Sequence, residues 1–173
     1  FLVALFMIYG LLAVPLRSYL QPIVIMSVIP FGFIGAVIGH MVFDVTVNML
    51  SVFGIVALAG VVVNDSLILV DFTNRGRNEG MDIDSALVNA GKKRFRAILL
   101  TTLTTFVGLL PIMFETSVQA QFVIPMALSL SFGIVFASTI TLILIPCLYS
   151  VVETNHRFVS TIFAALLIIS ILY

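Results

Sequence analysis

Residues 60–72 read GVVVNDSLILVDF. The stretch is almost wholly apolar, yet Asn64 and Asp65 stand near its middle and Asp71 near its end. A helix that crosses a bilayer needs about 20 mostly apolar residues. The run 45–64 just upstream contains no Asp, Glu, Lys or Arg. If these residues form a membrane span, Asp65 lies deep inside it. A charged aspartate at the bilayer centre costs on the order of 2.5–3.5 kcal/mol even on a lenient insertion scale.

The rest of the chain supports that reading. Of 173 residues, 61% are hydrophobic and 9% charged. A soluble domain carries roughly 25% charged residues, so this chain cannot coat a water-facing surface. The runs 1–16, 18–43, 97–114 and 116–152 also lack charged residues. The expected fold is an all-α integral membrane bundle of about five transmembrane helices over residues 1–152. Spans are expected at about 1–16, 20–43, 47–73, 96–114 and 121–152. The segment 74–95 is the long connection, with turns at Gly76 and Gly80 and a short surface helix from Asp82 to Ala90. The apolar tail, 153–173, could add a membrane or interfacial helix. The chain starts at Phe1 without a methionine and reads as a piece of a longer polypeptide.

Charge sets the orientation. Arg17, Arg75, Arg77, Lys92, Lys93, Arg94, Arg96 and Arg157 are the basic residues. With five spans, all of them fall on one side, which the positive-inside rule assigns to the cytoplasm. The connections around Asp44 and Glu115 fall on the other side and carry no basic residue. The net charge is zero, which argues against a nucleic-acid partner. Cys147 is the single cysteine and cannot form an internal disulfide. His40 and His156 are far apart in sequence and suit interfacial positions near helix ends. No metal-ligand cluster, catalytic constellation or cofactor motif is visible.

Small residues dot the spans, among them Gly32, Gly35, Gly39, Gly54, Gly60 and Gly133. They let membrane helices approach closely. In the third span, Ala57, Asn64 and Asp71 are spaced by seven and share a stripe near Gly60. That small, polar stripe is expected to face the bundle interior. Asp65 is turned about 100° from Asn64, toward a neighbouring helix or a flank of the stripe. It lies roughly 15 Å inward from Arg75, and Asp71 only about 6 Å. Asp65 is therefore the stronger functional candidate, and Asp71 suits a solvated or arginine-paired helix end. In the fourth span, Arg94 and Thr101 share a face with Thr105 and Gly108. The run TTLTTF, 101–106, could form a hydroxyl-lined seam from Arg94 toward Asp65. It could equally be a set of threonines bonded to their own backbone.

These stretches together resemble a known family. GIVALAGVVVNDSLILVDFTNR at 54–75, RFRAILLTTLTTFVGLLPI at 94–112 and PLRSYLQPIVIMSVIPFGFIGAVIG at 15–39 are similar to the C-terminal membrane half of resistance-nodulation-division (RND) transporters, in the hydrophobe/amphiphile efflux branch of multidrug pumps. The likeness covers about residues 1–152. It implies a multi-pass protein of the bacterial inner membrane that exports drugs or other amphiphiles by proton antiport, driven by the proton motive force without a cofactor. It also implies an N-terminal half of the same transporter, a homotrimer, a periplasmic adaptor and an outer-membrane channel as partners. The family's relay lysine falls on Asn64, its arginine on Arg94 and its threonine on Thr101. The lysine is absent here, and Asp65 replaces what is usually an asparagine. A lysine–aspartate switch therefore cannot operate unchanged. Either Arg94 acts as the counter-cation, or Asp65 adds a carboxylate that titrates with the distant pair. A non-energised membrane scaffold and a truncated piece without activity of its own are the alternative readings.

Overall fold

The computed structural model describes residues 2–152, and the tail expected over 153–173 as an extra membrane or interfacial helix lies outside the described residues. Six helices follow in order: α1 (Leu2–Leu16), α2 (Gln21–Met26), α3 (Ile29–Phe43), α4 (Met49–Asn78), α5 (Ile83–Met113) and α6 (Val118–Leu172). Four stretches are long and apolar enough to cross a membrane: Gln21–Phe43, Met49–Asn78, Ile83–Met113 and Val118–Val152. Leu2–Leu16, with 15 residues, is shorter than a full crossing.

Two expectations change. The second span is not one helix but two, α2 and α3, separated at Ser27 and Val28. Pro30 has no N–H to offer the Met26 carbonyl, and its ring crowds that carbonyl. The Ser27 hydroxyl donates instead to the Val24 carbonyl, at 2.6 Å. The long connection 74–95 is also mostly helix. Helix α4 continues to Asn78, and α5 starts at Ile83, so the surface helix and the fourth span are one helix of 31 residues. The bridging GKKRF has no proline, and lysine and arginine are good helix formers. The turn that remains is tight, with Gly80 at φ +90°. Asp82 caps α5 through the Ser85 backbone N–H, at 3.4 Å. Hydrogen bonds from the Ser85 side chain and backbone hold the Asp82 carboxyl below the usual carboxylate range.

Lipid tails are as apolar as leucine, so burial alone does not hold these helices together. Close packing does. Helix α6 runs along both α3 and α4. A methyl on Gly35 would meet Phe132 O at 2.7 Å and Phe136 Cβ at 2.5 Å. One on Gly54 would meet Met126 O at 2.5 Å, and one on Gly133 would strike Leu58. Leu58, Val62, Ile134, Ala137, Ile145 and Tyr149 fill the core between these contacts.

This packing predicts that Gly54→Ala destabilises the protein by about 1–3 kcal/mol, because the Met126 backbone cannot yield. Gly91, in α5, has nothing within 4 Å of an added methyl. Gly91→Ala should leave stability unchanged or raise it by about 0.5–1 kcal/mol. Thermal unfolding of the two variants in detergent separates them.

Candidate functional site

Asp65 sits just past the middle of α4 and is only 7% exposed. Its helix buries one face of large apolar residues, Leu58, Val62 and Leu69, against the core. That choice of face turns Asp65 inward with them. It also turns Ala57, Gly60 and Asn64 outward, onto the side of α4 that this chain leaves uncovered. Within this chain the small, polar stripe, expected to face the bundle interior, lies outside the packed core. Leucines and valines fill the gap between α4 and α6, and the stripe takes what remains. Asp71 is at the edge, paired with Arg75 at 2.9 Å on α4's own surface, with side chains 43% and 71% exposed.

Arg94 approaches from α5. Its guanidinium carbon lies 5.8 Å from the centre of the Phe72 ring, a cation–π distance. It is the charged neighbour that acts on Asp65 electrostatically. Among the described residues, the two do not close to ion-pair distance. Asp65 Oδ2 and Arg94 Nε are both buried with no hydrogen-bond partner. Buried polar atoms are almost always paired. An acceptor and a donor left open on facing helices, with a charge interaction between them, form a gap that a proton, a water or a side-chain movement can close.

The threonines divide. Thr101 is exposed and donates to the Ala97 carbonyl at 2.9 Å, and Thr104 to the Leu100 carbonyl at 2.8 Å. These are helix-internal bonds, and the seam along Thr101 does not reach Asp65. Thr102 is the inward residue. It is buried and donates to Ser138 Oγ of α6 at 2.9 Å. Its spacing of four from buried Ile98 places the two on one stripe. His40 is buried rather than interfacial. Its Nδ1–H donates to the Ala36 carbonyl at 2.9 Å, and its Nε2 and the Ser51 hydroxyl share a hydrogen bond of 2.8 Å. Ser51 and Asn48 form the capping box of α4.

Residues 1–153 match the AcrB/AcrD/AcrF family. Multidrug resistance protein MdtC of Proteus mirabilis (strain HI4320) is 31% identical over 149 residues, covering 86% of this chain and 14% of that protein. Two crystal forms of a heavy metal efflux pump have the same fold. Form II gives a TM-score of 0.78 at 27% identity over 87% of this chain, and form I gives 0.71 at 28% over 77%. The chain spans about one seventh of the length of each of these proteins.

The hydroxyl pair between α5 and α6 gives a test of the packing around the site. Thr102→Val should destabilise the protein, and Ser138→Ala should add little once Thr102 is gone. A double-mutant cycle in the full-length protein should give a coupling of about 0.6 kcal/mol, and no more than about 1.7 kcal/mol.

Proposed function

The chain belongs to the AcrB/AcrD/AcrF family of RND efflux transporters, and from that premise we propose that it forms the C-terminal membrane half of a proton-driven exporter in the bacterial inner membrane. The observation that carries this reading is the open pair of Asp65 and Arg94. A permanently charged, unpaired carboxylate near the middle of a span is unfavourable. Burial disfavours its charged form, and an approaching cation favours it. Motion of α5 relative to α4 changes how closely Arg94 approaches Asp65, and so changes proton affinity. One pKa unit is about 1.4 kcal/mol, so a small displacement suffices to bind and release a proton. Arg94 takes the counter-cation role, since Asn64 cannot carry charge.

The uncovered face of α4 around Gly60 and Asn64 is the seat for the transporter's other half, which supplies the remaining relay groups. A homotrimer, a periplasmic adaptor and an outer-membrane channel complete the assembly. The cargo is a drug or another amphiphile, a reading supported by the similarity to MdtC. The basic end of the bundle faces the cytoplasm.

Cysteines placed at Asn78 and Ser117 of a Cys147-free variant report the orientation. An impermeant reagent added to intact cells with a permeabilised outer membrane should label position 117 and spare position 78. Strong labelling at 78 overturns the arrangement.

The relay is tested in the full-length pump with expression and assembly verified. Asp65→Asn should reduce proton-coupled dye efflux to the level of cells without the pump. Asp71→Asn should retain most of it. Near-normal efflux in Asp65→Asn would assign that residue a structural role only.

A further inference from the structure

Asp65 and Phe72 are seven residues apart on α4. They therefore share a stripe and stand about 10 Å apart along the helix axis. Arg94 of α5 interacts with both. Its guanidinium carbon lies 5.8 Å from the centre of the Phe72 ring, while its charge acts on Asp65 across an open gap. A guanidinium can bind a carboxylate through two parallel N–H donors, or it can stack on an aromatic face. Here the second mode is occupied and the first is not. Arg94 Nε and Asp65 Oδ2, a donor and an acceptor, are both buried and unused. Buried groups as complementary as these normally close on each other. The ring of Phe72, displaced from Asp65 toward the Arg75 end of α4, holds the cation short of the carboxylate. Away from water such a contact is stronger than on an exposed surface.

We propose that Phe72 is a positioning residue, whose ring face is the resting seat of the Arg94 guanidinium and keeps it off Asp65 while that carboxyl holds a proton. Loss of the proton leaves a carboxylate that draws Arg94 from the ring. Rotation about the arginine's own side-chain bonds carries the cation between the two seats, and a shift of α5 biases which one it takes. The inference rests on the reading of Asp65 as a proton-binding group. It adds the element that sets the balance: a weaker seat at Phe72 gives Asp65 its counter-cation more often and lowers its affinity for a proton.

The other charges do not compete for this role. Asp71 on α4 is paired with Arg75. Asp84, Lys92, Lys93 and Arg96 on α5 are exposed. Among the described residues, α2 has no titratable side chain, and α1 has Tyr9, bonded to the Tyr19 carbonyl. His40 of α3 is held by Ala36 and Ser51 near the start of α4. Over 118–152, α6 offers Cys147 and Tyr149, and the Tyr149 hydroxyl donates to Asn74.

The test uses the full-length transporter in vesicles. Infrared difference spectra taken across a pH titration read the carbonyl stretch of protonated Asp65, identified by its loss in Asp65→Asn. Phenylalanine analogues with one, two or three ring fluorines, placed at position 72, weaken the negative face of the ring and change its shape little. The titration midpoint should fall step by step along this series, to about one pH unit below that of the native protein, a tenfold loss of proton affinity. Phe72→Leu should fall as far, and Phe72→Trp should hold the midpoint at or above the native value, because Trp is the best cation–π partner. A midpoint that stays flat along the fluorine series assigns Phe72 to packing and overturns the proposal alone. A midpoint that rises overturns it too, since the ring would then be presenting Arg94 to Asp65. A native protein with no titrating Asp65 band overturns the proton-binding reading, and the proposal falls with it.

Discussion

The architecture depends on the approach of the α6 backbone to α3 and α4. In water, apolar surface would drive that contact; in lipid it does not, and dispersion between closely fitted atoms must suffice. Gly35, Gly54 and Gly133 remove the side chains that would keep the helices apart. Once the backbones are this close, there is little room for polar groups to reach across. Most hydroxyls turn back on their own helix: Ser66 donates to Val62, Thr73 to Leu69, Ser131 to Ala127 and Thr141 to Ala137. Against that background, the groups that do not turn back stand out.

They fall into two kinds. His40 is closed on both ring nitrogens, and it ties α3 to the start of α4 through Ser51. Thr102 and Ser138 close on each other. These networks are satisfied and hold the bundle in one register. Asp65 and Arg94 are open. Among the described residues, Asp65 Oδ2 and Arg94 Nε are the charged side-chain groups left buried without a hydrogen-bond partner.

Much of this was legible in the residues. The charge-free runs mark the stretches that form the long apolar helices. The position of Asp65 on a stripe distinct from Asn64 was also readable, because 100° per residue fixes which residues share a face. Periodicity does not say which face is covered. Ala57, Gly60 and Asn64 fit an interior by size and polarity, yet in this chain Leu58, Val62 and Leu69 occupy the core. The same limit separates Thr101 from Thr102, neighbours in sequence on different sides of α5. Hydropathy likewise treated GKKRF as a break. Its charges mark the edge of the membrane, while its backbone propensity carries the helix through that edge.

That continuity makes α5 a crankshaft. Arg94 is mounted on a rod that runs from the Asp82 cap with no proline before Pro111, near its far end. A hinged connection would absorb a twist in loop dihedrals. An unbroken hydrogen-bonded helix delivers it, and the guanidinium, carried well out from the axis on a long side chain, sweeps the widest arc.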